Sequence, residues 1–212
     1  MSFSPSLLPE LIQSIATTIE TNAEEVTALD QAIGDGDHVT NLQRGIQALI
    51  EQSNTISQLD WSAAFKKIGM ILMSTIGGAS GSLYGTLFIS MSKAAADQDI
   101  NLHGFAEVYA AGVEAVKQRG KADIGEKTML DVHIPVSNYL QQAATDDVVL
   151  ADLLEQINQV AIEGMESTRE MLATKGRASF LGERSRGHID AGARTSQLMI
   201  CAIADVLGTC MK

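Results

Sequence analysis

The stretch Leu29-Asp30-Gln31-Ala32-Ile33-Gly34-Asp35-Gly36-Asp37-His38 gathers three carboxylates and an imidazole within one short run. Asp35 and Asp37 flank a glycine, so an extended turn points both carboxylates to one side. Asp30, at the end of the preceding segment, can swing in as a third oxygen ligand. Three carboxylates converging on one point repel each other unless a cation sits between them. Hard oxygen donors suit magnesium or calcium rather than zinc. An EF-hand needs a bidentate Glu at its twelfth position, but counting from Asp30 gives Asn41 and from Asp35 gives Ile46, which argues against calcium. The plainer alternative makes Asp37 a helix cap and leaves Asp30 and Asp35 as solvated turn residues. This loop alone does not decide between them.

Three further stretches stand out. Ile76-Gly77-Gly78-Ala79-Ser80-Gly81-Ser82 leads straight into an apolar helical pattern. Such a stretch lets backbone amides approach an anion at a helix N-terminus, although tight helix packing explains the glycines equally well. It is not a Walker A loop, because no Gly-Lys-Ser/Thr completes it. Gly120-Lys121-Ala122-Asp123-Ile124-Gly125-Glu126-Lys127-Thr128-Met129 has a P-loop flavour, but Glu126 separates Gly125 from Lys127 and no strand precedes it. Thr128 or Asp131 is expected there as a helix cap. The stretch from Lys175 to Gly192 holds four of the fifteen Lys and Arg residues of an acidic chain. That concentration suggests an anion partner, against the alternative of a solvated charged loop. His38, His103, His133 and His188 show no nucleophile–base arrangement. His103 and His133 read as structural.

The segments between these loops carry helical periodicity. The first runs from about Pro5 to Leu29, with Leu8, Leu11, Ile12, Ile15 and Ile19 forming one stripe. Others cover about Thr40 to Glu51, Trp61 to Thr75, and a segment from near Ser80 carrying Leu83, Leu87 and Met91. A fifth covers about Leu102 to Arg119. A sixth starts near Glu126, with a kink or break expected at Pro135. The last two cover about Val149 to Thr174 and Arg194 to the C-terminus. Eight helices with short connections predict antiparallel neighbours, in one domain spanning residues 1–212. Alternate loops of an up-and-down array share an end, so all four unusual loops are expected together.

Composition agrees with an all-α fold: 45% apolar residues, 4% aromatic, and an apolar set dominated by Ala, Leu, Ile and Met. The net charge of −11 repels nucleic acid and anionic membranes, so neither is expected as a partner. A nucleotide site would then need metal cations or local basic residues. Cys201 and Cys210 lie roughly 13 Å apart along one helix, too far for a disulfide, and are expected as buried thiols. No basic-then-apolar leader and no run near ~18 apolar residues is present, which predicts a cytoplasmic protein.

Taken together, the four loops resemble the L subunit of dihydroxyacetone kinases. The residues carrying the resemblance are Asp30 with Ile33 to His38 and Asn41, Gly77 to Gly81, Gly120 to Ala122 with Lys127, Thr128, Met129 and Asp131, and the run from Lys175 to Gly192. The resemblance implies an eight-helix antiparallel barrel with its nucleotide site in the loops at one end. It implies two magnesium ions held by Asp30, Asp35 and Asp37, bridging the phosphates of ADP or ATP. It places His38 and Asn41 beside the phosphates, Ala79 and Ser80 at their helix start, and Gly120 and Met129 against the adenine. Arg177 and the Asp190-Ala191-Gly192 turn would close over the nucleotide, with Arg177 and His38 as the catalytic candidates. The chain departs from the family pattern at Val39, usually glycine, at Ala191, often proline, and at Arg194.

The resemblance also implies a division of labour. A separate K subunit holds dihydroxyacetone covalently and supplies the sugar pocket. In the phosphotransferase-system type, a phosphoryl-donor M subunit recharges ADP in place. A split ATP-exchanging kinase and a non-catalytic ADP-binding regulator remain the alternatives, and a homodimer stays open. The fatty-acid-kinase relatives resemble a different loop, with proline in it and Thr rather than His38 after the last aspartate.

Overall fold

The computed structural model describes residues 4–96, 98–146 and 148–210. Among these residues there are nine α-helices and three stretches of 3-10 turn. The helices are α1 (Leu8–Thr21), α2 (Ala23–Ile33), α3 (His38–Ile56), α4 (Trp61–Thr75), α5 (Gly78–Ala94), α6 (Leu102–Gly120), α7 (Leu130–Ala143), α8 (Leu150–Ser167) and α9 (Ala191–Cys210). Each of α3 to α9 packs on the next, and α1 closes the circle against both α3 and α9. That makes a closed ring of eight legs.

The first expected helix is broken at Asn22, whose backbone (φ −102°, ψ 10°) leaves the helical region. α1 and α2 together form one leg along α9: Ser14 Oγ donates to the Ala202 carbonyl at 3.3 Å, and Arg194 pairs with Glu25 at 2.8 Å. The extra helix precedes all four unusual loops, so their alternation is unchanged. They connect α2–α3, α4–α5, α6–α7 and α8–α9.

The apolar stripes meet inside the ring in one continuous cluster, with Ile19, Val26, Ile56, Val108 and Val132 fully buried. Each such side chain contributes on the order of 1.5–3 kcal/mol of apolar burial. Asp60 caps α4 by accepting the Ala63 N–H at 2.7 Å, and Asn101 caps α6 through the Gly104 N–H at 2.9 Å. Pro135 lies inside α7 without ending it. The carbonyl it cannot bond, that of Asp131, lies so near Gly164 of α8 that a Cβ there would stand 2.4 Å from its oxygen. His133 and Tyr109 are buried in the same core, where the Tyr109 hydroxyl and His133 Nδ1 share a hydrogen bond at 2.5 Å. His103 is exposed and lies 3.4 Å from Glu107, one turn along α6. Cys201 is half-buried and Cys210 exposed at the end of α9, correcting the expectation that both thiols are buried. No helix among the described residues is long and apolar enough to cross a membrane.

Candidate functional site

Stretches from all four alternate connections line a single cavity of about 620 Å³, within the usual size of a small-ligand site. At its acidic wall, Asp30, Asp35 and Asp37 each offer a carboxylate oxygen, all within 4.8 Å of one another. Asp30 reaches this point from the last turn of α2. Its Oδ2 accepts the His38 backbone N–H at 3.1 Å, so it satisfies an orphan donor at the start of α3. Asp37 stands at the cap position of α3 yet makes no side-chain capping bond, which removes the capping alternative for it. Gly34 lets the wall close: a Cβ there would lie 2.2 Å from Asp30 Oδ1.

Across the mouth, the Arg177 guanidinium meets Asp35 Oδ2 at 2.8 Å. Both groups are solvent-accessible, so the pair contributes at most about 1 kcal/mol to stability. The observation matters for another reason. A cation already answers the carboxylate cluster, in keeping with a donor set that fits a hard divalent ion.

Along the same cavity, α5 begins at Gly78 with no side chain capping its first turn, and Gly77, Gly78, Ala79 and Ser80 line the cavity. An uncapped helix N-terminus of this kind favours phosphate groups. His38 links it to α9. The Thr195 hydroxyl lies 3.1 Å from the Ala191 carbonyl and 3.2 Å from that of Gly192, which can only accept. His38 Nε2 shares a hydrogen bond with Thr195 Oγ1 at 2.9 Å, and His38 Nδ1 shares one with the Ser80 hydroxyl at 3.3 Å. Burial lowers the His38 pKa, against the pull of Asp30 and Asp37, which agrees with a neutral ring using both nitrogens.

Leu83, Tyr84, Val116, Gly120, Ala122, Met129 and Leu130 give the cavity an apolar flank suited to a flat ring. Asp190 caps α9 by accepting the Ala193 N–H at 2.8 Å. Burial pushes its carboxyl up to about 6, helped by Asp131 and Asp30 and opposed by Lys127. Every candidate from the sequence lines this cavity: Asp30, Asp35, Asp37, His38, Asn41, Ala79, Ser80, Gly120, Met129, Arg177, Asp190, Ala191 and Gly192. At the α7 start both expected caps act. Asp131 accepts from the backbone N–H groups of Thr128 (2.7 Å) and Gly125 (2.5 Å), and Thr128 Oγ1 accepts from Leu130 N–H (3.1 Å).

Sequence reasoning missed Thr195, Tyr84 and the placement of Lys127. The first two sit in ordinary helical patterns and carry no local signal. Lys127 did carry one, as a cation beside Thr128 and Asp131 at a helix start.

The family model described as the DAK2 domain matches residues 32–205, and the chain belongs to that family. Over 186 residues it is 45% identical to the PEP-dependent dihydroxyacetone kinase 1, ADP-binding subunit DhaL, of Listeria innocua, covering 87% of this chain and 88% of the relative. It is 38% identical to the Escherichia coli PEP-dependent dihydroxyacetone kinase, ADP-binding subunit DhaL, over 205 residues, covering 96% of this chain and 98% of that one. The fold is shared with the dihydroxyacetone kinase of C. freundii, solved in complex with AMP-PNP and Mg2+. The TM-score is 0.73 at 23% identity, covering 97% of this chain and 34% of that longer protein.

Proposed function

We propose that this chain is the nucleotide-holding subunit of a dihydroxyacetone kinase, a phosphotransferase that acts with partner subunits. The observation that carries this reading is one cavity with a triple-carboxylate wall, an uncapped helix N-terminus lining it and an apolar flank, in a chain nearly co-extensive with ADP-binding subunits. It forms one nucleotide-binding domain over residues 1–212 and works in the cytoplasm. Asp30, Asp35 and Asp37 would hold magnesium, with two ions as the family resemblance implies. Bound there, magnesium would neutralise phosphate charge.

The chain's own residues then divide the work. Ala79 and Ser80 receive the phosphates at the start of α5, and Asn41 borders them from α3. His38 fixes the Ser80 hydroxyl while Thr195 fixes the His38 ring. With both ring nitrogens held by hydroxyls, His38 stands beside the phosphates as a catalytic candidate together with Arg177. Gly120 and Met129 receive the base, while Asp190, Ala191 and Gly192 border the nucleotide at the α9 start. Arg177, long and solvent-accessible at the mouth, stabilises charge on the transferring phosphoryl group. Dihydroxyacetone is held by a separate K subunit, and ADP is recharged in place by a phosphoryl-donor M subunit.

The test is reconstitution with a dihydroxyacetone-loaded K subunit, a phosphorylated M subunit, Mg2+ and ADP. Formation of dihydroxyacetone phosphate only when this chain is present supports the reading. No product with competent partners refutes it. Product from ATP without the M subunit moves the reading to a kinase that exchanges its nucleotide.

A further inference from the structure

The largest fully buried side chain among the described residues is a cation that the account above leaves unused. Lys127 is 1% exposed and sits at φ 60°, a backbone state that a non-glycine residue adopts only under constraint. Its ammonium has three hydrogens to place. They go to backbone carbonyls: Thr168 at 2.5 Å, His188, and Arg169 at 3.4 Å. These carbonyls come from two separate segments, the turn Thr168–Glu170 that ends α8 and the run of residues 186–190 that leads into α9.

The two segments are the feet of one loop. Gly187 N–H donates to the Arg169 carbonyl at 2.8 Å, Asp190 N–H to Thr168 Oγ1 at 3.1 Å, and the Arg186 guanidinium to the Glu170 carbonyl at 2.7 Å. Between the feet runs the excursion that carries Arg177 to Asp35. Glu126, the neighbour of Lys127, grips the same excursion higher up: its Oε1 accepts from the Thr174 hydroxyl at 2.7 Å and meets Lys175 Nζ at 3.3 Å. The α6–α7 connection therefore holds the α8–α9 connection at two heights. The next residues along it, Thr128 and Met129, line the cavity. A buried ammonium would be a poor choice for mere space-filling, since its desolvation is costly unless every donor is used.

We propose that Lys127 is a positioning residue for phosphoryl transfer, which clamps the feet of the 171–187 loop and so aims Arg177 across the mouth of the site. The proposal rests on the kinase reading above for its effect on turnover, but the clamp itself is independent of that reading. Methionine at 127 keeps the length of the side chain and removes the donors, leaving carbonyls of both feet without their shared partner. The loop then samples orientations in which Arg177 misses the phosphoryl group, and a misplacement of about 1 Å at such a centre costs on the order of a hundredfold in rate.

The experiment has two readouts on the full-length chain. The first is hydrogen exchange of amides 174–188 in the chain alone, without nucleotide or partners, well below its melting temperature. Lys127→Met is expected to speed exchange there by about tenfold or more while the cores of α3 and α5 keep their protection. The second is a double-mutant cycle on kcat with Arg177→Ala, in the reconstituted system. Each single change is expected to lower kcat about a hundredfold, and the double variant to be little worse than either. Thr168→Val, which removes the acceptor for Asp190 N–H together with the hydroxyl's own bond to the Met165 carbonyl in α8, is expected to shift both readouts in the same direction by a smaller factor. It serves as the test if Lys127→Met fails to fold. Unchanged exchange in 174–188 overturns the clamp. Faster exchange with wild-type kcat, or with strictly additive losses, overturns the positioning role. A silent Arg177→Ala in the wild-type background overturns the part given to that loop in transfer, and is told apart from failure of the clamp by the exchange data.

Discussion

A single methyl group at position 34 tests the carboxylate wall without touching its charge. Gly34 has φ −133°, outside the left-handed region, so Gly34→Ala acts by crowding the end of α2 against Asp30. Its Cβ would stand 2.2 Å from Asp30 Oδ1 and 2.8 Å from the Asp30 carbonyl oxygen. To reach ordinary contact at 3.4 Å the carboxylate must retreat by about 1.2 Å, out of a cluster whose oxygens lie within 4.8 Å of each other. The same movement pulls Oδ2 from the His38 backbone N–H. Displacing a supporting group around a metal costs roughly 10–100-fold in affinity, or about 1.4–2.8 kcal/mol. The assay is titration of Mg2+ into the chain with ADP held in excess, read by calorimetry, with Asp30→Asn alongside. Both variants are expected to weaken Mg2+-dependent ADP binding by that factor or more. Gly34→Ala at wild-type affinity would show that Asp30 is not part of the nucleotide–metal site.

Asp35→Ala is expected to abolish nucleotide retention and transfer, since it removes both a candidate ligand and the partner of Arg177; undiminished turnover with competent partner subunits would end the metal assignment. Magnesium chelation is expected to lower the melting temperature of the nucleotide-loaded chain, because the loss of a ligand bound only by the folded state destabilises it, and an unchanged melting curve would count against a bound ion. Burial holds His133 down to about 4, below its ordinary 6.5. The unfolded chain therefore takes up this proton first as pH falls. The stability contribution is complete above about pH 6.5 and is lost toward pH 4, by about 2 kcal/mol between pH 7.5 and 5. Urea unfolding of wild type and His133→Gln at both pH values checks this, and an equal pH dependence in the two proteins would refute it.

The helical architecture was legible because apolar periodicity and glycine breaks agree over most of the chain. α4 was expected at Trp61 to Thr75 and runs Trp61–Thr75. Boundaries failed where tertiary bonds replaced local propensity. α7 starts at Leu130 rather than near Glu126, because Gly125 (φ 87°) and Lys127 (φ 60°) keep the backbone out of the helical region while Asp131 collects the amides of Gly125 and Thr128. α8 ends at Ser167 rather than Thr174, where the chain tightens into the turn that supplies carbonyls to Lys127. α3 runs on to Ile56, since Ile56 is fully buried and rewards the added turns. The carboxylates and the glycine-rich helix start could be read directly, being rare clusters in short loops. The hydroxyl and imidazole relay through Thr195 could not, because it joins α3 to α9 across most of the chain length.

If this cavity holds a magnesium-bound adenine nucleotide, the nucleotide can be recovered from it. The experiment is to purify the chain without added nucleotide, denature it, and identify and count what is released. About one ADP per chain, retained with magnesium through purification, is the expected result. A chain that releases no nucleotide and takes up neither ADP nor ATP when Mg2+ is supplied would contradict it.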